Sequence, residues 1–177
     1  MSEHTQPTGA TAYSGTATGQ PDHTTPPYSD RPVAFRGPDS LGGLLLILAG
    51  IAAAISLPLS WLAAADISGL DLVRAGFETP QDIYDEGLWQ PMTVIFGGGL
   101  LLVLGILMWL PAKTHRTLGV LGLVVSVAAG VGILVPLADD GWDLATYDLG
   151  FWFAVAVPVL GLLGSLKAMF TGPRYPR

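Results

Sequence analysis

The chain has 177 residues, half of them hydrophobic and only 12% charged, with a mean hydropathy of +0.51. A soluble domain carries about twice that charged fraction, so the composition is that of a membrane protein. Cysteine is absent, which excludes disulfides, thiolate metal sites and cysteine nucleophiles, and the net charge of −6 speaks against a nucleic-acid partner.

Residues 1–39 are rich in Thr, Ser, Gly, Pro and Gln and nearly free of aliphatic side chains. Such a segment cannot bury enough apolar surface to offset chain entropy, and it reads as a disordered tail. It lacks the apolar core of a signal peptide near its start. The Pro26-Pro27-Tyr28 cluster reads either as a docking motif or as plain flexible tail.

Four apolar runs follow at 41–64, 92–110, 117–138 and 150–170. A bilayer core about 30 Å thick takes roughly 20 apolar residues of helix to cross. Backbone polar groups have no water partner there, so each run is expected to be a helix satisfying its own hydrogen bonds. The expected fold class is an all-α membrane protein, a four-transmembrane-helix bundle within residues 40–170. The first span starts beside the potential caps Asp39 and Ser40 and contains Pro58, which should bend it or loosen its last turn. The third should end near Pro136, and the fourth carries Pro158 near its middle.

Two connections are long. In the 65–90 loop, Ser68-Gly69-Leu70-Asp71 has capping-box spacing, with Asp in place of the usual Glu. Thr79-Pro80-Gln81-Asp82 reads as a second helix start. Both predict short amphipathic helices on the membrane surface or capping the bundle. The 139–149 loop opens on Asp139-Asp140-Gly141-Trp142-Asp143. Residues 171–177 form a short basic tail.

Charge sets the expected orientation. The N-terminal tail, the 111–116 turn and the C-terminal end carry Arg31, Arg36, Lys113, Arg116, Lys167, Arg174 and Arg177; the two long loops carry Arg74 alone. The positive-inside rule places the first group, and both termini, in the cytoplasm. Ten of the fourteen carboxylates fall on the other, outer side. Trp61, Trp89, Trp142 and Trp152 should anchor the outer interface and Trp109 the inner one, while Lys167 reaches into headgroups.

Helices in lipid associate by close backbone approach at small residues. Each span has such a stripe: Ala49 and Ala53; Gly98 and Gly105; Gly122, Ser126 and Gly130; Gly161 and Ser165. The stripes are either consumed inside the monomer or turned toward a partner. Ser40–Leu46 resembles Thr117–Leu123, which suggests a duplicated hairpin. With Trp61 closing the first span ahead of an acidic loop, the layout of residues 41–170 resembles small bacterial tetraspan membrane proteins of the actinobacterial type, a group with no assigned function. Trp61 followed by Gly87-Leu88-Trp89 is also distantly similar to the first-loop pattern of claudins, but the loop cysteines of that family are missing and the spacing is longer. No claudin function carries across.

Little in the sequence points to chemistry. No span carries an ionisable residue before Lys167, which argues against an ion-coupled pump. Ser56, Ser60, Thr93, Ser126 and Ser165 are explained by hydroxyls bonding back to their own helix. No phosphate loop, His–carboxylate cluster or metal spacing is legible, so neither an enzyme nor a cofactor is expected. Asp139, Asp140 and Asp143 are a candidate weak divalent-cation site, without the spacing of a calcium loop. The resulting expectation is a non-enzymatic plasma-membrane protein, an accessory, scaffold or assembly subunit. Its contacts are the lipid bilayer and another membrane protein or a second copy, made through small-residue faces and the acidic outer loop. The alternative is a small oligomeric channel or transporter component.

Overall fold

The computed structural model describes residues 40–110 and 115–170. The tail at 1–39, most of the 111–116 turn, and 171–177 lie outside the described residues, as does the Pro26-Pro27-Tyr28 cluster.

The described residues form five α-helices: α1 (Ser40–Ser56), α2 (Gly69–Glu78), α3 (Trp89–Trp109), α4 (His115–Asp139) and α5 (Leu149–Phe170). A two-stranded antiparallel hairpin, β1 (Ser60–Leu62) and β2 (Ile67–Ser68), separates α1 from α2, and a single 3₁₀ turn (Leu144–Thr146) precedes α5. The helices α1, α3, α4 and α5 form a square in which α1 packs on α3 and α5, and α4 packs on the same two. The chain alternates direction, so the hairpin, α2 and the 3₁₀ turn gather at one end of the bundle, the capped end. The core is made of Leu46, Val94, Leu101, Met108, Phe151 and Val157, each almost fully buried.

Three helices, α3, α4 and α5, are long and apolar enough to cross a membrane. At 1.5 Å per residue the 21 residues of α3 span about 32 Å, with a tryptophan at each end. The first helix departs from expectation. Its 17 residues stop at Ser56, eight short of the predicted end. The residue before a proline is pushed out of the α region, and Leu57 precedes Pro58, so the chain turns into β1 where the sequence suggests a bend.

The end of α1 and the start of α2 satisfy each other. The last carbonyls of a helix and the first amides of the next have no intrahelical partner. Here Leu70 N donates to Leu57 O (2.8 Å) and Gly69 N to Leu59 O (3.2 Å), while the Trp61 indole N–H donates to Ser56 O (3.0 Å). The predicted capping box at α2 is present: Asp71 N donates to Ser68 Oγ, and Ser68 N donates back to the Asp71 carboxylate. Hydrogen bonds from the Ser68 side chain and backbone hold the Asp71 carboxyl below its usual pKa of 3.8. A depressed folded-state pKa gives stability that is present above the unfolded value and lost as pH falls through the folded one. The helical Cα chemical shifts of the first turn of α2 should therefore fade as pH falls below the ordinary carboxylate range, and that acid dependence should be missing in Asp71→Asn.

The second predicted helix in this loop does not form. Thr79 closes α2 instead: its amide and its hydroxyl both donate to Ala75 O, at 2.9 and 3.0 Å. Residues 80–88 run as consecutive turns, closed by Asp82 N to Thr79 O and Glu86 N to Asp82 O. Nor does α4 stop at Pro136. It continues to Asp139, and Asp140 N still donates to Pro136 O (3.0 Å), because a proline inside a helix removes one hydrogen bond upstream and leaves its own carbonyl free to accept.

Candidate functional site

Every predicted helix-packing residue sits inside the bundle. A Cβ on Gly98 would collide with the Cβ of Ala53, and one on Gly105 would lie 2.7 Å from Gly43 O, so α1 and α3 touch backbone to backbone. Across the α4–α5 seam, a Cβ on Gly122 would come within 2.6 Å of Ser165 Oγ, and one on Gly161 would strike the Ser126 hydroxyl. A Cβ on Gly130 would lie 3.7 Å from the Pro158 Cβ, in ordinary contact, and Ala49 is fully buried. Within the monomer these stripes meet one another. Gly99 has open space around it on the outward side of α3.

The span hydroxyls follow expectation with two exceptions. Ser56, Thr93 and Ser126 donate to carbonyls of Ala53, Trp89 and Gly122 at 2.7–2.8 Å. Ser60 lies outside the helices, in β1, and donates to Leu62 O. The Ser165 hydroxyl is fully buried and has no hydrogen-bond partner among the described residues. It faces the space beside Gly122 that a Cβ there would occupy.

The capped end is built around β1. On one side β1 pairs with β2, Ser60 opposite Ser68 and Leu62 opposite Ile67. On the other it meets the segment entering α5: Ala63 N donates to Thr146 O and Asp148 N to Trp61 O, both at 3.0 Å. Trp61, predicted as a membrane-interface anchor, is instead 4% exposed and belongs to the core. It meets Phe151 edge to face at 6.0 Å, and Phe151 stacks on Tyr147 at 3.9 Å. Gly150 allows this approach, since a Cβ there would fall 2.6 Å from Ser60 O. The other tryptophans lie at helix ends or in the cap: Trp109, Trp142 and Trp152 are exposed and Trp89 is half-buried. Lys167 is exposed in the last turn of α5.

The three aspartates named as a cation site do not converge. Asp140 accepts from the Tyr147 hydroxyl (2.5 Å), Asp143 caps the 3₁₀ turn through Ala145 N (3.0 Å), and Asp139 ends α4. Among the described residues no group of three acid or histidine side chains is placed to hold a metal ion. The carboxylates serve as caps and acceptors.

Burial, then the hydrogen bond to Asp140 and the charges of Asp140 and Asp139, push the Tyr147 phenol well above its ordinary pKa of 10.0. For a raised pKa the stabilisation is complete below the unfolded value and is lost as pH climbs from there toward the folded value. Phenolate absorbance near pH 10 should accordingly be unchanged by Tyr147→Phe, whereas the wild-type cap should loosen at higher pH. A smaller phenolate step near pH 10 in the variant would contradict the hydrogen bond to Asp140.

Between the aromatic trio and the turns leading into α3 lies a cavity of about 190 Å³. Its lining includes Leu72, Leu88 and Pro91 and the edges of the buried Trp61, Tyr147 and Phe151.

Large apolar side chains point outward along all four bundle helices: Leu44 and Ile51 on α1, Phe96 and Val103 on α3, Val124 and Val131 on α4, Val159 and Leu163 on α5. Together with three helices of spanning length, they define the class, a helical bundle compatible with an integral membrane protein. Comparison with family models, with curated proteins and with solved structures gave no match.

Proposed function

We propose that the chain is a four-span protein of the cytoplasmic membrane, with both termini cytoplasmic and the capped end outside. In this reading it is a non-enzymatic accessory or assembly subunit, and its contact surface is the acidic cap. Two features support four spans. The 17 residues of α1 cover about 25 Å, within the range of a short span, and its outward face is as apolar as those of its neighbours. The seven-to-one distribution of basic residues supports the orientation.

One observation carries the accessory role over transport. The bundle interior is filled by apolar side chains, and the buried polar groups among the described residues are three serine hydroxyls. A solute path would need a polar or water-lined route, and the outward faces between the helix ends offer none for an oligomeric pore. The cap holds ten carboxylates against Arg74, a one-sign field suited to a basic surface on a partner.

The test compares two variants after solubilisation in mild detergent. Changing Asp82, Asp85, Asp139 and Asp143 to Asn should release a stoichiometric co-purifying membrane subunit, and Val124→Ala on the lipid-facing side should retain it. Solute flux through proteoliposomes containing this protein alone would overturn the reading in favour of a channel.

A further inference from the structure

The helix α2 carries an apolar flank that stays exposed among the described residues. Its buried residues Gly69, Val73 and Gly76 recur at helical spacing and face the bundle. A Cβ on Gly76 would lie 2.5 Å from Met92 Sδ, so α2 backs closely onto the first turn of α3. Asp71, Arg74 and Glu78 are exposed on the opposite side of the helix. Between these two sides Leu70 and Phe77, seven residues apart, share one flank, and Phe77 is 64% exposed.

The height of that flank is fixed by α3. Phe77 meets Phe96 edge to face at 6.1 Å, and Phe96 is itself 55% exposed. Phe96 begins the outward stripe Phe96, Leu100, Val103 and Leu107, so the flank of α2 continues the apolar outer surface of α3. It lies seven residues inside Trp89, about 10 Å along the helix axis. The end of α1 falls at the same level. Ala53 packs on Gly98 and α1 stops three residues later, so α3 runs on past it for about six residues, roughly 9 Å. It is against this overhang that α2 packs. Amphipathic helices lying in a membrane interface bury their apolar face by about 5–10 Å and keep their charges toward water. The position of α2 and the division of its sides match that arrangement.

We infer that α2 is immersed in the leaflet on the capped side, with Leu70 and Phe77 against phospholipid acyl chains and Asp71, Arg74 and Glu78 toward water. In this arrangement α2 stands in for the missing last turns of α1, and lipid beside the short span meets apolar surface up to the height of Phe77. The inference rests on the reading of α3 as a membrane span, but not on which side of the membrane the cap faces.

Site-directed spin labelling of the full chain tests it, since there is no native cysteine to interfere. The single variants Leu70→Cys, Arg74→Cys, Phe77→Cys and Glu78→Cys are labelled in nanodiscs of palmitoyl-oleoyl phosphatidylcholine, with Val103→Cys on the outward face of α3 as reference. Nitroxide collisions with oxygen, which concentrates in hydrocarbon, are compared with collisions with a polar nickel chelate. Oxygen should dominate several-fold for Leu70→Cys, Phe77→Cys and Val103→Cys, and the chelate for Arg74→Cys and Glu78→Cys. Dominance of the chelate for Phe77→Cys, with oxygen still dominant for Val103→Cys, would overturn the inference and leave α3 as a span. Dominance of the chelate for both would overturn the span as well. Low collision rates with both reagents for Leu70→Cys and Phe77→Cys would also overturn the inference, because a protein surface would then cover the flank. Circular dichroism checks each fold, and if Phe77→Cys does not fold, the contrast between Leu70→Cys and Arg74→Cys decides the question in the same way.

Discussion

Gly98→Leu is expected to prevent the bundle from assembling, and Gly98→Ala to weaken it by about 2 kcal/mol. The reason is the α1–α3 seam, where Gly98 faces Ala53 so closely that any Cβ at 98 would overlap the alanine methyl. Gly50 is held similarly against Gly98 O, and Gly43 against Gly105 O, so the helices cannot slide to relieve the clash at one point without creating another. Overpacking of this kind costs about 1–3 kcal/mol for a methyl group and more for a large side chain. The sharper form of the prediction is a rescue. In Ala53→Gly combined with Gly98→Ala the methyl group moves from one helix to the other, propensity costs of about 1 kcal/mol cancel, and most of the lost stability should return. Thermal unfolding in one detergent reads all three variants. A Gly98→Ala protein that melts with the wild type would mean that α1 and α3 do not meet at this seam.

The second large effect belongs to Trp61. Trp61→Ala should destabilise the protein by about 3–5 kcal/mol, the usual cost of removing a large buried aromatic side chain. The loss concentrates at the capped end, because the indole packs on Phe151 and its N–H satisfies the Ser56 carbonyl at the end of α1. Trp61→Phe keeps much of the apolar volume and loses that hydrogen bond, for an expected cost of about 1–3 kcal/mol. An interfacial anchor would behave differently, with Ala and Phe both near neutral. Guanidinium-free thermal melts monitored by circular dichroism distinguish the two patterns.

The contrast between Trp61 and Gly98 shows where a sequence speaks and where it is silent. Small residues four apart on an apolar run have few uses other than helix contact, so Gly122, Ser126, Gly161 and Ser165 were legible as packing positions. Whether a stripe meets its own chain or another depends on rotation about each helix axis, which periodicity does not specify. The capping box at Ser68 was legible because its two hydrogen bonds are local. The same logic misled at Thr79, where the hydroxyl turned back to the carbonyl of Ala75. The β1 strand had no readable pattern: three residues are too few for an alternation, and its partners, Ile67–Ser68 and the segment at 146–148, lie on both sides of it in the fold and up to 88 residues away in the chain. With β1 hidden, an apolar stretch running through Pro58 reads as helix, and Trp61 reads as its interfacial end. The cavity was hidden for the same reason, since Trp61 and Phe151, both among its lining residues, meet only once β1 brings them together.

In the proposed topology α1 crosses the bilayer despite its length, making four spans with the acidic cap on the far side from both helix-bundle termini. Because the chain contains no cysteine, single cysteines report position cleanly. Ser40→Cys and Asp66→Cys, placed on either side of α1, can be probed in intact cells with a membrane-impermeant maleimide. The expected result is labelling of Asp66→Cys in intact cells and of Ser40→Cys only after permeabilisation. Equal labelling of the two positions from one side would rule this topology out, leaving α1 outside the membrane and the bundle with three spans.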